Sequence, residues 1–351
     1  MPAHSPRILH CLRDGSQVAE LAPILIGLGF EAEHLIALGD SSASFDRTIL
    51  RTYALKLAQD FPDFSGSAGP GRLIAIGHAL TQYDLVVTYG WGTINVAMAH
   101  KVFGQHLGLP PLIHHEPGSP RFEELEKRLK RKIIRRIAFG SVTNLIVPPS
   151  DVANFAKSNW NVPAGKIIQF RTGIDLKRFK PTAKPDALAG LVKRSTEHWI
   201  GAELTPDRGT AANELVRALK HLPRDWHLVL MAGETSPDAV RAAADAEEQS
   251  HRVHVLGSSA DESAALALCD LFVDLSGPYE ASSLRIKAMA AATPVVDFGA
   301  GDIVTTLESL IENAEMRKQK GAENRKHALA NFDFTSSVKV LGGIYLDAIR
   351  A

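Results

Sequence analysis

The sequence predicts an α/β protein with two Rossmann-like, doubly wound domains that face each other across a cleft. Short apolar runs bounded by turn residues alternate with stretches of helical periodicity, a pattern typical of parallel sheets covered by helices. One complete repeat comprises the strand Leu271–Leu275, a helical pattern around Lys287 and the strand Pro294–Asp297. A length of 351 residues favours two domains, each large enough for its own core.

The composition is that of an ordinary soluble globular protein, with 45% apolar and 22% charged residues. Lys and Arg number 39 and balance 39 Asp and Glu, so the formal net charge is zero. Because bulk electrostatic binding of nucleic acid needs a strong positive field, this balance argues against nucleic acid as a partner. No signal segment opens the sequence and no apolar run approaches the length of a membrane span, so we expect a cytoplasmic protein.

The two cysteines, Cys11 and Cys269, lie far apart in apolar, strand-like runs. This placement predicts buried thiols in a reducing compartment and argues against a disulfide framework or a cysteine-based metal site.

Strand patterns in the first half are short and apolar, and they alternate with helical patterns. The strands are predicted at Arg7–Leu12, Ala32–Leu38, Asp84–Thr88, Pro111–His115, Leu145–Val147 and Ile167–Phe170. The helices are predicted at Val18–Leu28, Phe45–Phe61, Ile74–Leu80, Ile94–Val102 and through Phe155 to Trp160.

The turn at Gly15 joins the first strand to the first helix. Strand, glycine turn and helix form the first step of a Rossmann-like unit, in which a single glycine is a weak signal for nucleotide binding. It is equally consistent with a plain tight turn, because the three-glycine dinucleotide motif is absent.

Side chains suited to sugar binding follow two strands at their carboxyl ends, where α/β proteins bind ligands. Tyr89 and Trp91 follow one strand, and they either stack on a sugar ring or pack against the next helix. His114, His115 and Glu116 follow another and offer a proton acceptor or hydrogen-bond donors to hydroxyl groups. Adjacent strand residues point to opposite faces, so only one imidazole can face a ligand, which argues against a metal site.

The segment Lys127–Arg136 holds seven basic residues interleaved with Leu129, Ile133, Ile134 and Ile137. This pattern predicts a basic amphipathic helix. Three roles stay open for it: a solvated charged face, peripheral contact with an anionic membrane surface on its inner side, and attraction of a lipid-diphosphate acceptor.

The second half repeats the α/β alternation and then becomes helical. Its strands are predicted at Trp199–Leu204, His227–Ala232, Val253–Leu256, Leu271–Leu275 and Pro294–Asp297. Its helices are predicted through Leu215 and Leu219, at Ala239–Ala246, Ala264–Leu268, Leu284–Ala291 and Val338–Ile349.

The run from Lys287 to Val296, KAMAAATPVV, resembles the donor-site helix of family 4 retaining glycosyltransferases. Those enzymes usually have Glu, seven residues, Glu-Ala-Met-Ala and then Gly-x-Pro-Val-Val. DLVVTYGWG at 84–92, LIHHEPG at 112–118 and the long run from Val147 to Phe179 are similar to the N-terminal half and the domain junction of bacterial exopolysaccharide transferases of that family. The resemblance spans nearly the whole chain.

The resemblance implies the GT-B architecture. An N-terminal acceptor-side domain would cover 1–172, a hinge 173–185 and a nucleotide-sugar domain 186–337, and the last helix, 338–351, would return to the first domain. The implied reaction transfers a sugar from a nucleotide-diphosphate donor to a glycan or lipid-linked acceptor in surface-polysaccharide biosynthesis. The resemblance implies no metal and no other cofactor.

Positions at strand carboxyl ends and adjacent helical turns, together with the resemblance, assign the site residues, all of them expected around the cleft between the domains. The catalytic candidates are His115, Glu116 and Glu280, and the donor-binding candidates are Gly15, Arg208, Tyr279, Ser282, Ser283 and Lys287.

The chain departs from the family pattern at several of these positions. Lys287 replaces the second Glu, which holds the ribose, and Tyr279 replaces the first, with Glu280 one position late. Ala202 stands where an Arg is usual, and Arg208 is the candidate for the Lys that follows it. Two functions therefore stay open: an active transferase, and a degenerate, non-catalytic relative that binds a glycan or a partner enzyme.

Overall fold

The computed structural model describes residues 5–40, 46–117, 129–149, 152–233, 235–275, 282–299 and 302–351. The chain divides into two compact units, here called unit 1 (Met1–Thr172 with Thr335–Ala351) and unit 2 (Gly173–Phe334). Each contains one parallel sheet covered by helices, which confirms the predicted α/β class and its two Rossmann-like domains.

Unit 1 is built from alternating strands and helices. Its strands are β1 (Arg7–Asp14), β2 (Glu33–Asp40), β3 (Lys56–Leu57), β4 (Leu85–Tyr89), β5 (Leu112–His115), β6 (Asn144–Val147) and β7 (Ile167–Gln169). Its helices are α1 (Ser16–Gly27), α2 (Thr48–Thr52), α3 (Pro70–Leu80), α4 (Ile94–Leu107), α5 (Leu129–Ala138), α6 (Val152–Trp160) and the C-terminal helix, which is named below.

The sheet of unit 1 has the strand order β3-β2-β1-β4-β5-β6-β7, and each neighbouring pair is parallel. Its central strands are apolar because helices cover both faces, and Ile8, Leu9 and Val86 are fully buried. The order reverses between β1 and β4, and open α/β sheets bind ligands beside such a reversal.

The helix predicted over Phe45–Phe61 is wrong. Within the described part of that range the chain forms the short α2 and then the edge strand β3. Ala54 between them has a left-handed backbone with φ of 51°, which a continuing helix does not allow.

Unit 2 consists of a smaller parallel sheet and its helices. The strands are β8 (His198–Glu203), β9 (Trp226–Gly233), β10 (Val253–Gly257), β11 (Leu271–Asp274) and β12 (Val295–Asp297), in the order β10-β9-β8-β11-β12. The helices are α7 (Gly209–Ala218), α8 (Asp238–Ala246), α9 (Glu262–Leu268), α10 (Ser283–Ala290), α11 (Ile303–Ile311) and α12 (Ala314–Asn331). They are followed in the chain by the C-terminal helix of unit 1, α13 (Phe334–Arg350).

Helix α13 packs in unit 1, although the chain reaches it from unit 2. Its Gly342 lies so close to the end of α1 that an added Cβ would sit 1.9 Å from the carbonyl oxygen of Leu28. Its Tyr345 is completely buried. The close approach positions Tyr345 among the side chains at the strand ends of β4 and β5.

Helix α10 ends in a Schellman motif. The N–H of Ala292 donates to Met289 and the N–H of Thr293 to Ala288, both at 3.0 Å. Ala292 occupies the left-handed position of this motif with φ of 61°, where glycine is usual. The turn leads the chain into β12.

Both cysteines are buried free thiols, as the sequence predicts. Burial raises the pKa of Cys269 to about 12 and raises that of Cys11 further. None of the helices in the described ranges combines the length and the apolar character that a membrane crossing requires.

Candidate functional site

A cavity of about 350 Å³ opens at the carboxyl ends of β1, β4, β5 and β6 in unit 1. Its walls are largely apolar, and its polar side chains come from α1 and the strand ends. The lining residues are Leu12, Gln17, Glu20, Leu21, Ile24, Tyr89, His115, Glu116, Pro117, Ile146, Val147, Pro148, Phe170, Arg171, Thr172 and Leu341.

His115 forms part of this cavity wall. Tyr89 is its register partner on the neighbouring strand, and the two rings stack with centroids 4.8 Å apart. The hydroxyl of Tyr345 lies 2.9 Å from His115 Nε2. Burial, assisted by His114, lowers the pKa of His115 to about 3. His115 is therefore a neutral imidazole near pH 7, able to exchange hydrogen bonds with a hydroxyl group.

His114 points to the other face of the sheet, as the strand geometry predicts. It is fully buried, its ring packs 4.7 Å from that of Phe139, and its Nδ1 lies 2.8 Å from the hydroxyl oxygen of Thr88. His114 is thus a core residue, and only His115 reaches the cavity.

Glu116 is held by a buried ion pair. Arg135 of α5 donates to its Oε2 through Nε at 3.1 Å and Nη2 at 2.9 Å. Burial would raise the pKa of Glu116, but His114 and Arg135 outweigh it and lower the pKa. Glu116 is therefore ionised near neutral pH, which suits a hydrogen-bond acceptor and excludes a general acid in this state.

Trp91 packs against the basic helix rather than presenting a free ring face. The guanidinium carbons of Arg131 and Arg135 lie 4.8 and 5.0 Å from its centroid, and Arg135 is also 5.0 Å from the ring of Trp160. Of the two alternatives for Tyr89 and Trp91, stacking on a sugar or packing, the structure favours packing for Trp91.

Gly15 precedes α1 with an ordinary right-handed backbone, φ −68° and ψ −18°. The carboxylate of Asp14 accepts hydrogen bonds from the backbone N–H and the hydroxyl of Ser16, so an anion already occupies this helix start. Gly15 is not among the residues that line the cavity. This arrangement favours the plain turn among the two alternatives.

Two grooves lie at the strand carboxyl ends of unit 2. The first, of about 500 Å³, is lined by Glu203, Thr205, Met231, Ala232, Leu256, Gly257, Ser258, Ala260, Glu262, Ala265 and Leu284. The second, of about 410 Å³, is lined by Ile174, Asp175, Arg178, Phe179, Ala260, Asp261, Glu262, Ser263 and Lys287. Glu262 and Ala260 belong to both grooves, so the two are adjacent.

The sequence-predicted cations of unit 2 contact carboxylates. Lys287 Nζ lies 2.5 Å from Glu262 Oε2, and its ammonium is also 5.9 Å from the ring centroid of Phe179. Arg208 Nη1 lies 2.8 Å from Glu203 Oε2. An anionic ligand would therefore compete with a carboxylate at each cation.

A third cation, Arg285, was not predicted from the sequence. It contacts Asp274 at the end of β11 and Asp297 at the end of β12. Burial alone would lower the pKa of Arg285, but its hydrogen bonds to Asp297 and Asp274 raise it. The sequence did contain an indication of this ion-pair site, because each of the two strands that flank the helix ends in an Asp.

Ser282 caps α10 by accepting a hydrogen bond from the backbone N–H of Arg285 at 3.0 Å, and Ser283, its first residue, is exposed. Neither serine is among the groove-lining residues given above. Tyr279 and Glu280 lie outside the described residues. The predicted convergence of all these residues on one cleft stays a prediction.

No group of three or more His, Cys, Asp or Glu side chains within the described ranges has the arrangement of a metal site. The expectation that the reaction needs no metal stays a prediction.

Two parallel-sheet, Rossmann-like units in one chain define the GT-B type of fold. Many solved structures are similar to this chain. The chain is similar to a glycosyltransferase from Rickettsia africae at 13% identity, with 99% of each chain covered and a TM-score of 0.70. It is similar to HepE from Anabaena, solved in complex with UDP, at 17% identity, with 98% and 100% coverage and a TM-score of 0.71.

Sucrose-phosphate synthase from Thermosynechococcus elongatus is a further similar structure, at 16% identity, with 99% and 100% coverage and a TM-score of 0.67. At these identities the similarity establishes the fold. No protein-family model matches the chain, and no curated protein matches it in sequence.

Proposed function

We propose that this protein is a glycosyltransferase that takes a sugar from a nucleotide-diphosphate donor. The observation that carries the proposal is the GT-B fold shared along nearly the whole chain with HepE, whose structure holds UDP. The resemblance of KAMAAATPVV to the family 4 donor helix supports the retaining, family 4 assignment. The acceptor is a glycan or a lipid-linked sugar of surface-polysaccharide assembly.

On the donor side, the nucleotide would occupy the paired grooves of unit 2. Apolar side chains such as Met231 and Leu256 suit a base, and Lys287 suits a phosphate. Arg285 and Arg208 are not among the groove-lining residues and are further candidate cations for the phosphates. Each cation would exchange its carboxylate for a phosphate oxygen. Charged hydrogen bonds of this kind contribute about 1.5–3 kcal/mol each, part of which the lost ion pair offsets.

On the acceptor side, the cavity of unit 1 would hold the attacking hydroxyl. His115 is neutral and Glu116 ionised, so both can accept a hydrogen bond from that hydroxyl. His115 is too weak a base to hold a proton near pH 7, so its contribution is orientation. Stabilisation of the departing diphosphate falls to the cations and to the N-terminus of α10. Tyr279 stays a donor-binding candidate and Glu280 a catalytic candidate.

The test is calorimetric titration of UDP and GDP, followed by assays with UDP- and GDP-sugars in the presence and absence of a chelator. Binding of one nucleotide and metal-independent consumption of its sugar donor would support the proposal. Nucleotide binding without turnover would favour the degenerate, non-catalytic alternative. No binding of either nucleotide would contradict the donor assignment.

The basic helix α5 supports a second part of the proposal, docking on an anionic membrane surface. Leu129, Ile133 and Ile137 repeat every four residues and are 69%, 48% and 46% exposed. Lys130 and Arg136 are exposed beside them. Apolar side chains that enter the headgroup region beside cations that meet lipid phosphates are the pattern of an interfacial helix. Lys127 and Arg128 lie outside the described residues.

The other basic residues of α5 face the protein. Arg131 and Arg135 pack on Trp91, and Lys132 donates to the side-chain oxygen of Asn159 at 2.7 Å. The solvated-face alternative therefore applies only to part of the helix.

Sedimentation with vesicles of phosphatidylcholine, with and without phosphatidylglycerol, tests the docking. We expect binding only to the anionic vesicles, and loss of binding in Ile133→Glu. The matched control is Ile74→Glu, which changes an exposed isoleucine of another helix of unit 1. Equal binding by both variants would contradict docking through α5.

A further inference from the structure

Five side chains form a continuous hydrogen-bonded chain inside unit 1. His34 Nδ1 lies 3.0 Å from His10 Nε2, and His10 Nδ1 lies 3.1 Å from the Tyr89 hydroxyl. The Tyr89 and Tyr345 hydroxyls are 3.4 Å apart, and that of Tyr345 is 2.9 Å from His115 Nε2. The chain runs from β2 through β1, β4 and α13 to β5. The proposed function uses only its cavity end.

All five side chains are neutral near pH 7. Burial lowers the pKa of His34 to about 4 and that of His115 to about 3, and it holds the pKa of His10 well below the ordinary value. Burial likewise raises the pKa of Tyr89 and of Tyr345. Each side chain therefore carries one proton on a ring nitrogen or a hydroxyl oxygen. Each of the four hydrogen bonds must use one of these five protons.

Only two arrangements make all four contacts and leave no interior hydroxyl proton without an acceptor. If the donors point toward the cavity, His34 donates to His10 and His10 donates to Tyr89, each through Nδ1. Tyr89 then donates to Tyr345, and Tyr345 donates to Nε2 of His115. His115 is therefore protonated at Nδ1. If the donors point away from the cavity, His115 and His10 donate through Nε2, and His34 accepts at Nδ1 and so is protonated at Nε2. A mixed arrangement leaves a buried donor unpaired, which costs about 1–3 kcal/mol.

We propose that this hydrogen-bonded chain of five side chains couples the tautomers of His34, His10 and His115. All three imidazoles then carry their proton on the same type of ring nitrogen. Tyr345 and Tyr89 are then positioning residues, because they decide the hydrogen-bonding character of His115 toward the cavity. Tyr345 engages Nε2, so Nδ1 is the nitrogen left for a ligand. In one state it donates, and in the other it accepts a ligand hydroxyl.

The coupling gives the C-terminal helix a function beyond packing. Tyr345 is the residue of this helix in the hydrogen-bonded chain, and among the described residues its hydroxyl is what links His115 Nε2 to Tyr89. A ligand hydroxyl that donates to His115 Nδ1 selects the second state and shifts the proton on His34 from Nδ1 to Nε2. This inference does not depend on sugar transfer, because the tautomers are measurable in the protein without substrate.

The test is long-range proton–nitrogen NMR correlation of the histidine rings in the full-length protein at pH 7.5, which distinguishes protons on Nδ1 from protons on Nε2. His10→Gln, His34→Gln and His115→Gln assign the signals. We expect the three histidines to share one tautomer. Tyr345→Phe should make the two nitrogen shifts of His115 converge toward the averaged values of a mixed tautomer. Tyr89→Phe is a second variant that breaks the same chain.

Tyr83→Phe is the matched control, since Tyr83 packs on Phe61 and Arg7 in the same unit and is not a member of the chain. It should leave the His115 signals unchanged. Different tautomers among the three histidines would overturn the proposal. So would an unchanged His115 spectrum in Tyr345→Phe, because local contacts would then fix the tautomer.

Discussion

At the strand ends of unit 1, His115, Tyr89 and Tyr345 form a neutral, hydrogen-bonded wall, whereas at the strand ends of unit 2 Arg285 and Lys287 are charged and contact carboxylates. Tyr345 is fully buried, and Tyr89 and His115 are half-buried. The pair Lys287–Glu262 is partly exposed, with side chains at 22% and 42%, whereas Asp274, one partner of Arg285, is buried. Glu116 and Arg135 form the one described charge pair that is fully enclosed beside the cavity of unit 1.

The difference shows how two similar sheets suit different ligands. Buried neutral groups resist ionisation and fix hydrogen-bond directions, so they can select a ligand by shape and by its hydroxyl groups. A partly exposed ion pair such as Lys287–Glu262 costs little to open, so a multiply charged anion can replace that carboxylate. Five experiments follow, in order of decreasing expected effect.

The largest effect is expected for Arg135→Ala. The change leaves the carboxylate of Glu116 buried without its counter-charge and empties the space between Trp91 and Trp160. Breaking a buried pair in this way costs about 3–5 kcal/mol. Chemical denaturation should show this loss, whereas Arg136→Ala, at the exposed neighbouring position, should change stability by less than about 0.5 kcal/mol. Equal effects would show that the pair is not buried.

The second-largest effect is expected from acid, which should lower the free energy of unfolding. The folded-state pKa of His34 is about 4, whereas a histidine in the unfolded chain titrates near 6.5. Below pH 6.5 the unfolded chain therefore binds more protons, so stability falls as the pH falls. For His34 alone the loss by pH 4 is about 3 kcal/mol. Denaturation curves between pH 7 and pH 4 should show a shallower dependence in His34→Gln, and an identical slope would contradict the assignment.

Gly342→Ala tests the packing that brings α13 to the cavity. The new methyl group would collide with the carbonyl oxygen of Leu28, and such overpacking costs about 1–3 kcal/mol. Gly343 is the matched control, because a Cβ there meets no atom within 4 Å. Gly343→Ala should leave the melting temperature unchanged or raise it, since alanine favours a helix. If both variants melted alike, the close contact would not exist in solution.

Lys287→Ala tests the charged strand ends of unit 2. We expect nucleotide-diphosphate binding to weaken by about 1–3 kcal/mol, because a cation is removed and Glu262 loses its ion pair. Lys287→Glu should not restore binding, since two carboxylates would then lie near the phosphates. Titration of UDP and GDP measures the change, with the exposed Lys320→Ala as control. Tighter binding by Lys287→Glu would show instead that position 287 still contacts the ribose as in the resembled family.

The smallest expected effect is a gain in stability in Ala292→Gly. Ala292 pays the cost of a left-handed backbone, about 1–2 kcal/mol for a residue with a Cβ, and Ala292→Gly removes it. The greater freedom of glycine in the unfolded chain offsets part of this, leaving a gain of about 0.5–1 kcal/mol. Ala291→Gly, at a buried position with negative φ, should destabilise. Thermal melting of the two variants would contradict the strain argument if their order were reversed.

The pattern of amino acids predicted the α/β class, most strand positions and the polar groups at the strand ends, because buried parallel strands must be apolar and turns need particular residues. The alternation of side chains along β5 also predicted that His114 and His115 separate, and they do. The failed helix at 45–61 shows the limit, since helical periodicity there did not reveal the left-handed break at Ala54.

The partners of the charged and hydrogen-bonding side chains could not be predicted from the sequence. The pairs Arg135–Glu116 and Lys287–Glu262 join residues 19 and 25 positions apart, and Tyr345 reaches His115 over 230 positions. No local pattern encodes such contacts, because they depend on how helices return to a sheet after many residues of intervening chain. The carboxyl ends of the strands could be predicted as the place for chemistry, but the ionisation state of each side chain there was set by burial and by partners that only folding supplies.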